Sequence, residues 1–391
     1  MSYLLSLVIP TKNRYEYLQS CLQSLENLDS ELVEIIVQDN SANQDQFVKF
    51  MDAKKYKNLR YYYDPRDGMS QTENSDLAVE KATGKYLCYI GDDDSVASEI
   101  INVCRWMDRN RADAVIFTCA SYSWPDMKYR VFNFPNLTIP GGEPRFRKLE
   151  PSQELLKSLR AGGQLGKMPK IYHGIVSHDA LEKVRKTCGS YFPGASPDIA
   201  NAVSLSLVTD RCFLLSLPIV ISGTSYHSAG GMGARGQHKA QISSVKQLPA
   251  NIGAYWIPVI PQIWTGETIW AHSALEALKK MNRSDLTAKL NLSRLYARMI
   301  VMHPDCWPYV RPCIKGAVMS VRTCLYVPYL FLIRSLKFIK NAVNIKLHIG
   351  HNHQYTGIPD VNAAAQVVNQ YIAGCGFSLT DGSVNFRVSD P

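Results

Sequence analysis

Several patterns that would assign a chain of this length to a class at once are missing from the sequence. No two of its ten cysteines stand in a Cys-x-x-Cys spacing, which argues against a zinc site or a disulfide framework. No internal repeat occurs, and neither a Walker P-loop nor a Gly-x-Gly-x-x-Gly motif follows the first predicted strand. Because Met1-Ser2-Tyr3 has no basic segment before an apolar run, no signal peptide is predicted. Reduced thiols in the cytoplasm are the simplest expectation.

The composition is that of a globular protein, with 391 residues of which 46% are hydrophobic and 20% charged. This length accommodates a full catalytic domain and an appended carboxyl-terminal part. The net charge of +9 is unevenly spread. An acidic cluster lies in the amino-terminal part, whereas the carboxyl-terminal part is basic and apolar.

The most informative segment is Gly-Asp-Asp-Asp at residues 91–94, which follows an apolar run at 86–90. Three adjacent carboxylates repel one another unless a cation neutralises them. Hard oxygen ligands on a short loop suit Mg²⁺ or Mn²⁺, which bind few protein carboxylates together with substrate phosphates. The alternative is a solvated acidic turn before the helix that begins near Ser98.

The surrounding pattern alternates strand and helix. Predicted strands cover residues 4–10, 33–37, 59–63 and 86–90, and predicted helices cover 15–28, 44–54 and 73–82. This order predicts an α/β fold with a parallel sheet covered by helices. Ligands bind outside the carboxyl ends of the strands in such sheets. Pro10, Asp39 and Asp92–Asp94 lie at those ends, so we expect them to converge on one crevice.

These motifs together resemble family 2 glycosyltransferases. The resemblance is carried, in order and spacing, by Leu7–Arg14, Ile36–Ser41, Asn74, Ala82–Tyr86 and Gly91–Asp94. It covers about the first 120 residues well and extends more weakly to about residue 240. It implies a GT-A fold (a Rossmann-like, mostly parallel sheet flanked by helices) and transfer of a sugar from a nucleotide diphosphate with inversion.

The resemblance also implies a donor site. Its candidate residues are Pro10, Thr11, Asn13, Arg14, Asp39, Asp67, Asn74, Asp92, Asp93 and Arg235. Asp39 would accept a hydrogen bond from the base, and its alternative role is to form a turn at a strand end. Arg14 would contact phosphate or brace a carboxylate, unless it is solvent-exposed. Asp67 and Asn74 are the candidates for sugar or ribose contacts, and helix capping by Asp67 or Ser70 is the rival role.

A divalent cation, Mn²⁺ or Mg²⁺, is the expected cofactor. Between Asp92, Asp94 and the diphosphate it would neutralise the charge that grows on the leaving group. By resemblance, Asp94 is the direct ligand and Asp92 lies near the ribose or the metal. His227 would complete the metal site, as a histidine does in some relatives, and a surface-loop position is its alternative.

An inverting transfer also needs a general base for the acceptor hydroxyl. By resemblance the base lies at a helix start about 100 residues after the acidic triplet, and Asp198 matches that position. The family often has Glu-Asp there, whereas this chain has Pro197-Asp198, which leaves Asp198 as the available carboxylate. A carboxylate that only stabilises the helix dipole is the alternative.

A finer resemblance concerns the subgroup that contains abequosyltransferases. It is carried by Ile171–Ser177 and Pro193–Asp198. It points to bacterial O-antigen or capsule assembly, with a glycan or a polyprenyl-diphosphate-linked oligosaccharide as the acceptor.

The segment 223–239 contains five glycines and is predicted to be a mobile loop that acts as a lid. Arg235 or Lys239 would then clamp the diphosphate when the loop closes. A disordered surface loop is the alternative for both residues.

The carboxyl-terminal part is predicted to be helical. Residues 269–302 suit a helical hairpin. Residues 319–347 mix apolar side chains with five cations, Arg322, Arg334, Lys337, Lys340 and Lys346. These charges argue against a membrane span and favour a helix on an anionic membrane surface. The alternative is a helix packed on the catalytic domain with its cations outward.

His351 and His353 have no third metal ligand nearby, and no role is assigned to residues 351–391.

The predicted organisation is therefore a catalytic domain over residues 1–240, with a nucleotide-sugar half (1–120) and an acceptor half with the flexible loop (121–240). A helical region follows over 241–350, and then a tail.

Two other functions remain as alternatives to a glycosyltransferase. A sugar nucleotidyltransferase would need a glycine-rich basic loop after the first strand, which residues 10–14 lack. A non-catalytic nucleotide-binding scaffold would be favoured by loss of the carboxylates, which are all present.

Overall fold

The structure is a computed structural model that describes residues 3–53, 56–127, 135–347 and 352–376. Side chains are described over these ranges except at residues 52–53 and 340–347. The predictions for His351, for the tail beyond residue 376 and for the side chains of Lys340 and Lys346 lie outside the described residues.

Two sheets are formed by the strands of the described residues. The strands are β1 (Leu5–Thr11), β2 (Val33–Asp39), β3 (Leu59–Tyr63), β4 (Tyr86–Tyr89), β5 (Ser95–Val96), β6 (Ala114–Phe117), β7 (Ala120–Ser123), β8 (Leu137–Ile139), β9 (Phe146–Leu149), β10 (Gly174–Ser177), β11 (Cys212–Leu215), β12 (Val220–Thr224) and β13 (His353–Tyr355).

Helices connect and cover these strands. They are α1 (Tyr15–Leu25), α2 (Asp45–Ala53), α3 (Gln71–Glu80), α4 (Ile100–Asn110), α5 (Pro151–Arg160), α6 (His178–Cys188), α7 (Pro197–Leu205), α8 (Ala229–Ala234), α9 (Ile252–Tyr255), α10 (Gly266–Lys280), α11 (Leu292–Met302), α12 (Trp307–Val310), α13 (Ala317–Leu347) and α14 (Val361–Gly374).

The larger sheet has eight strands in the order β3-β2-β1-β4-β10-β6-β11-β9. The strands β3, β2, β1 and β4 are parallel neighbours, whereas β10 is antiparallel to both β4 and β6. A smaller sheet has the order β13-β8-β7-β12-β5. The predicted α/β fold, with a mostly parallel sheet flanked by helices, is confirmed.

The first four strands are held together by their apolar faces and by one buried acid. Leu5, Leu7 and Ile9 of β1 are fully buried, as is typical of a central parallel strand. Glu34 of β2 is also fully buried. Burial raises its pKa, but hydrogen bonds from Ser6, from the Thr83 amide and from Arg60 outweigh burial and lower the pKa overall. A charged group can therefore remain inside the sheet.

The start of α3 settles one alternative left open by the sequence. The Ser70 hydroxyl accepts a hydrogen bond from the Glu73 amide, and the Glu73 carboxylate accepts one from the Ser70 amide. This reciprocal pair is a capping box, which satisfies two amides that the first helical turn leaves without partners. Ser70 therefore acts as a helix cap.

The described part of the carboxyl-terminal tail returns to the amino-terminal half. Helix α14 packs on α1, β5 and β12, and Val361, Ala364 and Val368 belong to the core of the larger sheet. The Ser98 amide donates a hydrogen bond to the Asn369 side chain at 2.9 Å. Residues 361–374 are thus part of the same core as the first strands, a role that the sequence did not indicate.

A second, mainly helical core lies beside the sheet. It contains buried residues of α5, α7, α10 and α11, and the predicted helical hairpin is formed by α10 and α11. Glu267 of α10 lies against the side chains of His303 and Arg298. Burial raises the pKa of Glu267, but the hydrogen bond and charge of His303, aided by Arg298, lower that pKa to about 2.

One helix leaves most of its surface exposed. The stretch Ala317–Ile339 of α13 is long and apolar enough, by length and composition, to cross a membrane, and only 6% of its most apolar window is buried. By length and composition, the charges over 319–347 therefore do not exclude a span, and the surface position of this helix stays a prediction. The spacing of the charges is the reason that a span is not excluded, because the eleven residues between Arg322 and Arg334 carry no charge.

The glycine-rich segment 223–239 differs from the irregular loop that the sequence predicts. Residues 229–234 form α8, because the Ser228 side chain accepts a hydrogen bond from the Gly231 amide and caps the helix. Gly231 also lies so close to Ser225 that a Cβ atom would come within 1.9 Å of the Ser225 carbonyl oxygen. Glycine here serves close packing as well as backbone freedom.

We expect Glu267→Gln to destabilise the protein near neutral pH and to lose that effect in acid. The folded-state pKa of Glu267 lies below its unfolded value, so its stabilising contribution is present above about pH 4.3 and is lost as the pH falls toward 2. Urea unfolding followed by tryptophan fluorescence checks this. The exposed Glu31→Gln variant is the control. A Glu267→Gln deficit that stays constant from pH 7 to pH 3 would contradict the account.

Candidate active site

Three adjacent carboxylates occupy the loop that follows β4. Asp92, Asp93 and Asp94 are exposed by only 2%, 4% and 0%, so the solvated acidic turn weighed above is not what forms here. They are surrounded by the carboxyl ends of β1 and β12 and by the start of β10. Ionised carboxylates buried this closely require hydrogen bonds or opposite charges, and the structure supplies a different set to each one.

Asp92 is held by the loop after β1. The Thr11 hydroxyl donates a hydrogen bond to Asp92 Oδ2 at 2.6 Å, and Arg14 Nη1 lies 3.0 Å from Asp92 Oδ1. That ion pair lacks hydrogen-bond geometry, so Asp92 Oδ1 is a buried oxygen without a hydrogen bond from the described residues. Burial raises the pKa of Asp92 to about 7, with Arg14 opposing and the charges of Asp93 and Asp94 adding to the rise.

Asp93 shares Arg14 with Asp92. Arg14 Nη2 lies 2.8 Å from Asp93 Oδ2, which also accepts a 2.5 Å hydrogen bond from the Ser225 hydroxyl. The Asp93 carbonyl oxygen accepts a hydrogen bond from Trp124 Nε1 at 3.0 Å. Among the alternatives for Arg14, the structure therefore has it bracing the carboxylates. Burial raises the pKa of Asp93, and Arg14 opposes that rise.

Asp94 is engaged at both of its oxygens. Asp94 Oδ1 accepts a hydrogen bond from the Gly223 amide at 2.7 Å. Asp94 Oδ2 accepts one from the Gly91 amide at 2.7 Å and lies 2.7 Å from His173 Nε2. Burial acts to raise the pKa of Asp94, but the charge and hydrogen bond of His173 and the two amides lower it overall. In this arrangement Asp94 anchors β12 and β10, and its role as a metal ligand stays a prediction.

His173 connects the triplet electrostatically to the predicted general base. Its backbone has φ of 59°, an unusual left-handed conformation just before β10. Asp198 lies half-buried in the first turn of α7 and accepts no hydrogen bond from the described residues. Burial raises the pKa of Asp198, while the charges of His173 and Lys170 oppose that rise and Asp94 reinforces it. A carboxylate with a raised pKa is suited to general-base chemistry.

Asp39 is fully buried and already has three donors. The hydroxyl groups of Tyr15 and Tyr61 each donate to Asp39 Oδ2 at 2.6 Å, and the Ser41 amide donates to Asp39 Oδ1 at 2.7 Å. The hydrogen bond from the Ser41 amide, two residues further along the chain, is the interaction by which an aspartate forms a turn at a strand end, which was the alternative role for Asp39. Contact with a nucleobase therefore stays a prediction for this residue.

The first strand–helix loop brings the expected donor residues together. Pro10 and Thr11 end β1 in register with Gln38 and Asp39 of β2. Asn13 adopts φ of 56°, its amide donates to the Ser41 hydroxyl, and its Oδ1 accepts from the Ala42 amide. These bonds join the carboxyl ends of β1 and β2, as the prediction of one crevice requires.

Asn74 of α3 lies at the same point. Its Nδ2 donates to the Thr11 carbonyl oxygen at 3.4 Å, whereas its Oδ1 is buried without a hydrogen bond from the described residues. Asn74 Oδ1 and Asp92 Oδ1 are thus two buried acceptors without a hydrogen bond from the described residues, although Asp92 Oδ1 forms an ion pair with Arg14. Buried acceptors of this kind require an explanation, and an absent ligand or ion is one.

Four other predicted residues have no described contact with the triplet. Asp67 is exposed and accepts a hydrogen bond from the Gly68 amide. Arg235 donates to the Tyr226 carbonyl oxygen and lies 3.5 Å from the Tyr226 ring centroid, and His227 is exposed. Lys239 pairs with Asp305. Their predicted ligand roles stay predictions.

The acidic triplet is the place where a divalent cation is expected. No group of three or more His, Cys, Asp or Glu residues is placed to hold a metal within the described ranges. Asp92 Oδ1 nevertheless has the chemistry that Mg²⁺ and Mn²⁺ prefer. Arg14 offers one fixed positive charge against three carboxylates, so a cation would reduce a remaining negative charge. The residues therefore fit a divalent ion at Asp92, without a complete protein ligand set.

The structure adds residues that were not predicted as site residues, namely Lys170, Tyr172, His173, Gly223 and Ser225. Ser225 directly follows β12, and the apolar residues 219–221 make its position at a strand end a usable signal. His173 was not recognisable in this way, because its contact with Asp94 joins residues far apart in the chain.

Comparison with known proteins supports the motif resemblance. Residues 6–162 match the model of "Glycosyl transferase family 2". An uncharacterized glycosyltransferase of Rickettsia bellii is 28% identical over 120 residues, which are 30% of this chain and 16% of that protein. A GalNAc(5)-diNAcBac-PP-undecaprenol beta-1,3-glucosyltransferase of Campylobacter jejuni is 26% identical over 95 residues, or 24% of this chain and 31% of that protein. The matches thus span less than a third of these relatives, and they support a glycosyltransferase of family 2.

Solved structures show only distant likeness. S. aureus TarS 1-349 in complex with UDP-GlcNAc is 16% identical with a TM-score of 0.45, over 99% of this chain and 98% of that chain. Mannosyltransferase PcManGT from Pyrobaculum calidifontis, in complex with GDP-Man and Mn²⁺, is 12% identical with a TM-score of 0.43, over 96% and 86% of the two chains. Similarity at this level carries no argument about function.

We expect Gly223→Ala to disrupt the carboxylate cluster. A Cβ atom at this position would come within 1.8 Å of the Asp93 carbonyl oxygen, so β12 and the loop at 91–94 must move apart. The expected cost is on the order of 1–3 kcal/mol in the free energy of unfolding, measured by urea unfolding. Gly233→Ala in α8 is the matched control, because nothing lies within 4 Å of its added Cβ atom. Equal stability of the two variants would contradict the described packing.

Proposed function

We propose that this protein is an inverting glycosyltransferase that moves a sugar from a nucleoside-diphosphate donor to a hydroxyl group of a glycan or lipid-linked oligosaccharide. The observation that carries the proposal is the buried triplet at 92–94, in which each carboxylate has its own set of partners and His173 Nε2 lies 2.7 Å from Asp94 Oδ2. The triplet lies at the strand ends where a donor is expected, and burial raises the pKa of Asp198, which lies in the first turn of α7. The family match over residues 6–162 supports the same reaction class.

The donor side rests on Asp92, Thr11, Arg14 and Asn74. A bound Mg²⁺ or Mn²⁺ would supply Lewis-acid stabilisation of the departing diphosphate. Asp92 would hold that ion through Oδ1, the oxygen that accepts no hydrogen bond. Thr11 orients the other Asp92 oxygen at 2.6 Å. Arg14 offers a positive charge between the triplet and the loop after β12, where it stabilises the carboxylates before a donor binds.

The acceptor side rests on Asp198. The acceptor oxygen forms a bond to the anomeric carbon while the bond from that carbon to the diphosphate oxygen breaks, and the nucleoside diphosphate leaves with the electron pair. The hydroxyl proton of the acceptor moves to a carboxylate oxygen of Asp198. Attack opposite the leaving group inverts the anomeric configuration. A protonated His173 would stabilise Asp94 and the ionised form of Asp198 together.

The setting we propose is bacterial surface-polysaccharide assembly, either O-antigen or capsule, at the cytoplasmic face of a membrane. The subgroup resemblance of residues 171–177 and 193–198 supports it. The exposed apolar surface of α13 supports membrane association, since side chains such as Leu325 and Phe338 are 68% and 75% exposed. Such a helix would bring the enzyme to a polyprenyl-diphosphate-linked acceptor.

We expect Asp92→Asn to remove the dependence of nucleotide binding on metal. Wild-type protein should bind one of UDP, dTDP, CDP or GDP at least about 10-fold more tightly with Mn²⁺ than without it, because Asp92 would hold an ion that neutralises the charge of the diphosphate. Isothermal titration calorimetry measures this ratio. The exposed Asp210→Asn variant is the charge-matched control. A metal effect of equal size in Asp92→Asn would remove Asp92 from the metal site.

We expect Asp198→Asn to bind the donor normally and to lose transfer by about 10²- to 10⁴-fold, the usual contribution of a general base. Because burial raises the pKa of Asp198, the acid limb of the wild-type profile of kcat/KM against pH should lie above the ordinary aspartate value of about 3.9. His173, Lys170 and Asp94 are the charged groups that act on this limb.

The control for that variant is Asp179→Asn, which removes another carboxylate from a first helical turn, in α6. If Asp198 only stabilises the dipole of α7, both variants will lose a little stability and both will keep turnover. Rapid transfer by Asp198→Asn would therefore contradict the proposed base.

A further inference from the structure

We propose that a cavity between α5, α11 and α13 binds the phosphate headgroup of an anionic membrane lipid, whose acyl part lies on the exposed face of α13. The cavity shares no lining residue with the Asp92–Asp94 site. The inference deepens the membrane association stated under the proposed function and rests on that part of it alone. It does not depend on glycosyl transfer.

The cavity has a volume of about 780 Å³ and is lined by four cations, Arg160, Lys289, Arg294 and Arg322. No acidic residue lines it. Within the part of the chain that the structure describes, none of the four cations forms a salt bridge. Four unpaired positive charges around one concave surface repel one another, so an anion that enters is stabilised by all of them. Arginine is well suited to phosphate oxygens because its donors form a planar fork.

The amino terminus of α11 lies at the same cavity. Residues 290–294 contribute to the lining, and α11 continues for eleven residues from Leu292. The helix dipole adds a partial positive charge at this end. Asn291 caps the helix through its Oδ1 and donates from Nδ2 to the Tyr326 hydroxyl at 3.0 Å, which ties α11 to α13. The wall of the cavity is thus fixed by hydrogen bonds as well as by packing.

An apolar surface extends directly from the cavity. Leu325 and Tyr329 of α13 line the cavity and are themselves exposed. They belong to a stripe of exposed residues spaced three or four apart, Val318, Val321, Leu325, Tyr329, Leu332, Leu336 and Ile339. This spacing places the stripe on one side of the helix. A ligand with a phosphate group and a long apolar chain matches this combination of cations and adjoining apolar surface.

The charge of the surrounding segment favours a lipid over a second copy of the chain. Between Asp305 and Asp360 the sequence contains seven lysine and arginine residues and no aspartate or glutamate. Two copies that met along α13 would bring these like charges together. An anionic leaflet instead attracts basic segments, each cation near the surface contributing to binding.

The test is flotation of purified full-length protein with phosphatidylcholine vesicles that carry either phosphatidic acid or oleate at matched surface charge. Lys289→Gln/Arg322→Gln removes two lining cations. Lys315→Gln/Lys337→Gln removes two exposed cations of the same basic segment that do not line the cavity. Thermal unfolding by circular dichroism checks that each variant is folded.

We expect wild-type protein to prefer phosphatidic acid vesicles and the lining variant to lose about 10-fold in affinity for them, with the preference abolished. The control variant should weaken binding to both vesicles equally and keep the preference. Equal behaviour of the two variants would overturn the proposal in favour of diffuse electrostatic attraction. Binding of inorganic phosphate as tight as that of the vesicles would show a free-anion site, and a stable dimer that hides α13 would show a second copy.

Transfer to a water-soluble acceptor separates this inference from the proposed reaction. The lining variant should keep donor binding and transfer in solution, because it leaves the site at 92–94 unchanged. If no transfer is found but the phosphatidic acid preference depends on Lys289 and Arg322, the lipid site stands and the proposed reaction fails.

Discussion

Burial of three adjacent carboxylates is the constraint on which the rest of this structure depends. Two ionised groups about 4 Å apart repel by roughly 4 kcal/mol at an effective dielectric constant of about 20. Arg14 lies between Asp92 and Asp93, and His173 contacts Asp94, so both side chains oppose this repulsion. Three further donors stabilise the carboxylates, namely the Gly223 amide of β12, the Ser225 hydroxyl after β12 and the Thr11 hydroxyl of β1. The first loop, β10 and β12 are therefore fixed in position by the same charges that would later meet a donor.

This arrangement explains why separate parts of the chain form one site. Gly223 is required because the backbone of β12 passes against the Asp93 carbonyl oxygen, and the same strand then delivers Ser225 to the Asp93 carboxylate. His173 acts to lower the pKa of Asp94 and opposes the rise in the pKa of Asp198, so these two carboxyl groups share one electrostatic neighbour.

The sequence was sufficient for elements whose signals are local. The alternation of strands and helices over residues 4–90, the helical hairpin and the acidic triplet at a strand end follow from periodicity and turn residues, and these predictions are confirmed.

What could not be predicted depends on contacts between distant residues. The pairing of His173 with Asp94, the three donors on Asp39 and the return of α14 to the first core have no local pattern. Helix α8 was not predicted because the five glycines around it outweigh the signal of a single serine cap. In α13, the number of charges suggests a helix that cannot span a membrane, whereas their spacing leaves a long apolar stretch.

The central claim is that the buried triplet and Asp198 together transfer a sugar with inversion. The most direct measurement is proton NMR of the protein with Mn²⁺, a set of nucleotide sugars and a lipid or glycan acceptor extract. The account predicts release of a nucleoside diphosphate together with a product of inverted anomeric configuration. Retained configuration, or exchange between sugar phosphate and nucleoside triphosphate in place of transfer, would contradict it.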